Sequence, residues 1–150
     1  MQNDRPIQEF SLQLKTKLES LEDLLAWFES IAFKYLSDQA YWQCQLALTE
    51  GFTNAVRHAH KNLPATTPID LKVLLFDRVL EIQVWDCGQP FDLEAELQTR
   101  LEQKAYKLDG NLVELTEGGR GLVWMHELMD DLTYYRTPNH RNCLILRKHR

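Results

Sequence analysis

Three clusters of residues have the types and spacing to do chemistry. The first is Glu50-Gly-Phe-Thr-Asn54-Ala-Val-Arg57-His58-Ala-His60. Glu50, Asn54 and His58 stand four residues apart, so on a helix they share one stripe, with neighbours about 5–6 Å apart. A carboxylate there can take the proton of an attacking hydroxyl. A carboxamide oxygen one turn on is a hard, neutral ligand suited to Mg²⁺ beside substrate phosphates. Taken alone, the same stripe is also what a solvated helix face looks like. The second cluster is Asp86-Cys87-Gly88 at the end of an alternating run. An Asp there can accept a hydrogen bond from an exocyclic amine, which adenine has and guanine lacks at that position. Gly88 lets the backbone approach a flat ring, though Asp-x-Gly by itself also simply turns a chain. The third is Gly118-Gly119-Arg120-Gly121-Leu122, opening a helical run. Glycines in that place turn backbone N–H groups toward an anion at the positive end of a helix. A hinge reads the same way.

The elements that must hold these clusters follow from hydrophobic period. Phe10, Leu12 and Leu14 alternate with polar residues and predict a half-buried strand. Leu18 through Tyr35 repeats at helical spacing, and Ser37-Asp38 interrupts it and can cap a second helix. That second helix carries Leu48, Phe52, Ala55 and Ala59 on an apolar face and ends before Pro64. Ile69 to Leu75 and Leu80 to Val84 read as a hairpin turning at Asp77-Arg78, and the second strand runs into Asp86. Leu93 to Leu108 is charged, with a weak apolar stripe. After the glycines comes a helix through Val123, Met125 and Met129, then strands at Leu132–Tyr134 and Cys143–Leu146 around a turn at Thr137–His140. The pattern is α+β: a two-layer sandwich, a mostly antiparallel sheet with helices on one face. No repeat or linker divides it, so residues 1–150 read as a single domain.

Composition narrows the class. A chain of 150 residues can bury a proper core. Its net charge of −5 gives no bulk attraction to nucleic acid. Cys44, Cys87 and Cys143 are widely spaced and odd in number, as expected of reduced thiols in a cytoplasmic protein. Cys87, inside the second cluster, is expected to pack. The start of the chain, with Asp4 and Arg5, does not read as a signal peptide, and no apolar stretch approaches the roughly 20 residues of a membrane span.

Taken together and in this order, the clusters resemble the GHKL ATPase superfamily, which includes gyrase-type ATPases, histidine kinase catalytic domains and anti-sigma-factor kinases. Glu50-x-x-x-Asn54-Ala is similar to that family's N box, Asp86-x-Gly88-x-Pro90-Phe91 to its G1 box, and Gly119-x-Gly121-Leu122 to its G2 box. The fuller patterns Asn54-Ala-Val-Arg-His58-Ala, Asp86-Cys-Gly-Gln-Pro-Phe-Asp92 and Gly119-Arg-Gly-Leu122-x-x-Met125 resemble the small bacterial anti-sigma-factor serine kinases, over nearly the whole chain.

The resemblance implies a Bergerat, or histidine-kinase-like, ATPase fold binding ATP with Mg²⁺. Asn54 would hold the metal and Glu50 would be the general base. Asp86 would read the adenine amine and Gly88 would make room for its ring. Gly119 and Gly121 would cradle phosphates, with Arg120 and Leu122 in the same nucleotide-binding motif, beside a lid from about Leu93 to Glu117. His58 would edge the pocket, and Asn142 on the last strand would stand behind Asp86. Arg100, Lys104, Lys107 or Arg120 could supply a cation to the γ-phosphate.

The function implied is an anti-sigma factor with serine/threonine kinase activity, phosphorylating an antagonist protein in a partner-switching circuit. Its partners would be a sigma factor and that antagonist, with no direct nucleic acid and no membrane. Homodimerisation is implied by the family alone. A second class of function is an ATP-dependent module that sequesters a partner without phosphoryl transfer, against which Glu50 argues, since binding needs no base. A detached histidine kinase domain would be expected to follow a dimerisation helix, whereas this chain opens on a strand.

Overall fold

The computed structural model describes residues 5–107 and 117–150, the side chains of 103–107 and 117–120 excepted. Alternating apolar residues place one side of each strand under cover. β1 (Gln8–Lys15), β2 (Pro68–Leu75), β3 (Val79–Asp86), β4 (Asp131–Arg136) and β5 (Asn142–His149) form one sheet in the order β1-β2-β3-β5-β4. All of its pairings are antiparallel. Ile69, Leu71, Val73 and Leu75 of β2 and Leu80, Ile82 and Val84 of β3 are buried on the inner face.

The helices supply the other half of that core. α1 (Ser20–Ala32) buries Leu24 and Phe28, and α2 (Asp38–Asn54) buries Cys44, Leu48 and Phe52. Each such side chain removed from water contributes roughly 1.5–3 kcal/mol before entropy is counted. Ser37 caps α2 as its sequence position predicts, its hydroxyl accepting from the Ala40 N–H at 3.1 Å. α3 (Leu93–Lys107) starts at Asp92, whose carboxylate accepts from Ala95 N at 3.1 Å, and buries Leu93. α4 (Glu117–Leu128) buries Leu122, Val123 and Met125.

The outer face of the sheet sets charged pairs beside Trp85, Tyr135 and Ile145. Arg141 pairs with Asp70 there and lies 5.1 Å over the Trp85 ring, and Arg147 Nε donates to Glu81 at 2.7 Å. A mixed outer face and an apolar inner one give the two-layer α+β arrangement that the period of the sequence predicts. No helix among the described residues is long and apolar enough to cross a membrane.

One element was not anticipated. α2 does not end at Asn54; the chain continues for another turn at π spacing, Ala55–Ala59, closed by His60 N donating to Ala55 O at 2.9 Å. Such wide turns recur at functional sites.

Candidate functional site

A cavity of roughly 380 Å³ opens between the inner sheet face and helices α2, α3 and α4. Its size is in the range of small-ligand sites. Its walls differ by origin. Val84, Leu144, Leu122, Met125 and Tyr134 make an apolar wall, while Asn54, His58, Gln89, Glu96 and Arg100 supply polar groups.

Asp86 anchors the apolar end. It ends β3 with its side chain on the inner face, and the antiparallel register sets it opposite Asn142 of β5, which is opposite Arg136 of β4. Three strand ends therefore bring three polar side chains side by side. Asn142 is fully buried and its amide donates to Asp86 Oδ1 at 2.8 Å and to Gly88 O at 2.9 Å. Gly88 N donates to the same Oδ1 at 2.9 Å. Arg136 Nη1 completes the set, reaching Gly88 O at 3.1 Å and Asn142 Oδ1 at 3.2 Å. Both bonds to Asp86 fall on Oδ1, so among the described residues no donor occupies Oδ2. A buried carboxylate with one oxygen so committed presents the other as a fixed acceptor at the cavity wall.

Gly88 has a second constraint. A Cβ there would stand 2.6 Å from the Ala59 carbonyl carbon, and nearer still to its oxygen. Only glycine lets this loop lie against the end of the α2 extension. His60, next in line, accepts from Cys87 N through Nε2 at 2.8 Å. Phe91 stacks at a tilt on Tyr134, with ring centroids 4.6 Å apart, beside the same loop. Burial raises the Tyr134 phenol pKa, and the nearby Asp86 charge raises it further.

The polar end is built from helices. Asn54 and His58 both line the cavity, although the π turn lies between them. Glu50 sits one turn before Asn54, half-buried and outside the cavity lining, with its carboxylate against Gly121 of α4. A Cβ on Gly121 would lie 3.2 Å from Glu50 Cδ and closer to Oε2. Arg100 lines the cavity from α3 and lies 3.9 Å from Glu96. Among the described residues no three His, Cys, Asp or Glu side chains cluster to hold a metal. A Mg²⁺ that keeps most of its waters and takes one carboxamide oxygen and substrate phosphates fits that donor set.

The structure brings Asn54, His58, Asp86 and Leu122 to one cavity, with Asn142 and Gly88 behind Asp86, and Glu50 and Gly121 beside it. Gly119 lies in the first turn of α4, as does Arg120, whose side chain falls outside the described residues together with those of Lys104 and Lys107. Of the expected lid, Leu93–Lys107 is helix α3, and residues 108–116 also fall outside the described residues.

One expectation is corrected. Cys87 does not pack; it is exposed, because the inward place at the end of β3 belongs to Asp86 and the next side chain faces out. Cys44 and Cys143 are buried, which pushes both thiols up to about 12. Arg136, Tyr134 and His60 carry part of the site, and sequence reasoning missed all three. For Arg136 and Tyr134 the available signal was register: counting back from Asn142 across the β4–β5 turn sets Arg136 opposite it.

Comparison with known proteins agrees with this geometry. A family described as the histidine kinase-like ATPase domain matches residues 14–148. The serine-protein kinase RsbW of Staphylococcus epidermidis is 37% identical over 92 residues, covering 61% of this chain and 56% of the relative. Its namesake from Staphylococcus aureus is 34% identical over 94 residues, covering 63% and 57%. The chain thus spans a little over half the length of the curated relatives it matches.

Proposed function

The chain belongs to the histidine kinase-like ATPase domain family, and from that premise we propose that it is a protein serine/threonine kinase acting as an anti-sigma factor. In this reading the whole chain is a single ATP-binding kinase domain. The observation that carries it is Asp86, buried and held through Oδ1 by Asn142 and Gly88, facing a cavity that Asn54 also lines. That arrangement suits an adenine at one end and a metal-bound triphosphate at the other.

Asp86 Oδ2 would accept from the adenine amine, and the Val84, Leu144 and Met125 wall would take the ring. Asn54 would hold Mg²⁺ through its carboxamide oxygen; the metal would neutralise phosphate charge. Glu50, one turn away, would accept the proton as an acceptor Ser or Thr oxygen attacks the γ-phosphorus and the bond to the bridging oxygen breaks, leaving ADP. A positioned base contributes about 10²–10⁴ in rate, and positioning and charge stabilisation supply the rest. Similarity to the RsbW serine-protein kinases supports a Ser as acceptor; in this reading that Ser lies on an antagonist protein and a sigma factor is the alternating partner. A homodimer working in the cytoplasm belongs to the same reading.

The test is transfer of labelled γ-phosphate to candidate antagonist proteins, with ATP titrations alongside. Glu50→Gln keeps the shape and removes the base. It should bind ATP nearly as the parent does and transfer phosphate about 10²-fold or more slowly. Undiminished transfer would remove Glu50 from the chemistry. A parent protein that grips a sigma factor with ATP bound yet labels no antagonist would be a sequestering module instead.

A further inference from the structure

His60 is almost fully buried, yet it is a polar ring at the junction of four segments. Its two nitrogens have different partners. Nε2 faces the backbone N–H of Cys87 at 2.8 Å, and an N–H can only donate. Nδ1 faces Thr16 Oγ1, at the end of β1, at 2.8 Å. The Thr16 hydroxyl is within 2.6 Å of Thr67 O, which can only accept, so its one proton goes there. Thr16 Oγ1 must then accept from the ring.

Both ends of the chain of bonds therefore demand the same tautomer. Cys87 N–H donates to Nε2, Nδ1–H donates to Thr16, and Thr16 donates to Thr67. The ring is neutral, protonated on Nδ1, and every group in the series is used. A second proton on the ring would sit on Nε2 and point at the Cys87 N–H, donor against donor, in a buried place. The peptide so opposed lies between Asp86 and Gly88.

We infer that His60 is a positioning residue for adenine: its neutral Nε2 holds the Asp86–Gly88 loop in its binding shape, so protonation of His60 releases the loop and weakens nucleotide binding. The inference rests on the nucleotide reading of the cavity. The backbone fit supports it independently, since the Ala59 carbonyl presses on Gly88 immediately beside the His60 bond and the loop is held twice from the same turn.

The charged and titratable surroundings are few. From the loop after β3 come Asp86 and Cys87. From its own segment come His58 and Lys61, and the end of β1 offers neutral Thr16 between Lys15 and Lys17. Burial lowers the His60 pKa, and the Asp86 carboxylate partly opposes this. Binding of an amine to Asp86 would consume part of that attraction, so nucleotide and proton compete.

The first measurement needs no ligand. Long-range proton–nitrogen spectra of the full chain at pH 7.5 should show His60 protonated on Nδ1 alone, with the Cys87 amide shifting on acidification at the midpoint of the His60 ring. A ring protonated on Nε2, or a Cys87 amide indifferent to the titration, would overturn the proposal. The second measurement is ADP affinity from pH 7.5 to about one pH unit below that midpoint in the parent and in His60→Gln, whose amide oxygen can accept from Cys87 N–H but does not titrate. If only the neutral ring supports binding, affinity falls by about tenfold for each pH unit below its midpoint. The parent should therefore weaken relative to His60→Gln by about tenfold for each pH unit below the midpoint that the spectra give, a ratio that cancels titration of the nucleotide phosphates. Parallel profiles in the two proteins through that midpoint and a pH unit below it would overturn the proposal. An absence of ADP binding in the parent at every pH would instead sink the nucleotide reading, and the ligand-free spectra would still decide whether His60 holds the loop.

Discussion

The two ends of the cavity are made differently. The end proposed for adenine is assembled from strand termini, and its polar groups hold one another: Arg136, Asn142, Asp86 and Gly88 form a closed set of hydrogen bonds. The end proposed for the phosphates is assembled from one face each of α2, α3 and α4, and its groups come from separate elements. The sheet end resists displacement because moving any one group unpairs another in a buried place, which costs about 1–3 kcal/mol for each group left unsatisfied. In the reading proposed above, the strand-built end would serve recognition, which needs a fixed template, and the helix-built end would serve transfer.

The strongest way to break this contrast is to make the same substitution at both ends. In Gly88→Ala the new methyl meets the Ala59 backbone carbonyl, and the loop must move. Overpacking of this kind costs about 1–3 kcal/mol. ADP affinity should drop by about ten- to a hundredfold and the melting temperature by several degrees. In Gly121→Ala the new methyl meets the end of the Glu50 side chain rather than backbone. Alanine is also better than glycine inside a helix by about 1 kcal/mol. That variant should melt no lower than the parent and lose less ADP affinity than Gly88→Ala, while transferring phosphate more slowly. Calorimetry and labelled transfer on the pair decide the matter; equal effects on affinity would erase the distinction between the ends.

A similar loss of affinity, without the fall in melting temperature from a clash with backbone, sharpens the template idea. Asp86→Ala removes the fixed acceptor while leaving the cavity open. A hydrogen bond to a charged group is worth about 1.5–3 kcal/mol, so ATP affinity should fall by about ten- to a hundredfold with GTP affinity little changed. Titrating both nucleotides checks it. A parent protein indifferent between ATP and GTP would deny Asp86 any part in reading the base.

The smallest effect concerns the turn behind the template. His140 sits at φ 63 in the β4–β5 turn, with Nδ1 3.4 Å from Arg136 Nη2. Left-handed backbone costs a non-glycine residue about 1–2 kcal/mol, and glycine returns part of that as chain entropy. His140→Gly should raise stability by about 0.5 kcal/mol in denaturant titrations and leave ADP affinity unchanged. A loss of affinity would mean that Arg136 depends on His140 for its place.

Much of this was legible in the chain because it repeats locally. The alternation Ile69, Leu71, Val73, Leu75 and the cap at Ser37 need only neighbours, and the sheet, the hairpin and the start of α2 follow from them. Asp86 and Asn54 stand in motifs whose order carries meaning. Asn142 entered only through resemblance to a family. Arg136 did not enter at all, since its contact with Gly88 joins residues 48 positions apart and leaves no periodic trace. His60 was in view beside His58, but the reading assumed that a regular helix continued past Asn54. The π turn changes the phase, turning His58 to the cavity edge and His60 to the interior. Cys87 was misjudged for a related reason: what decides its exposure is the parity of β3, which gives the inward place to Asp86.

That wide turn makes the site sensitive to length as well as to composition. From Asn54 to His60 the chain carries a fixed number of residues across a turn that a regular helix would cross with one fewer. A substitution there alters a contact, whereas a deleted or inserted residue rotates everything beyond it by about 100°, the advance of one helical residue. The Ala59 carbonyl would leave Gly88 and the His60 ring would leave Cys87 in a single step. Related chains that keep this cavity should therefore vary in letters between positions 55 and 60 far more readily than in spacing, and a gap at that place in a relative would mark a differently built adenine end.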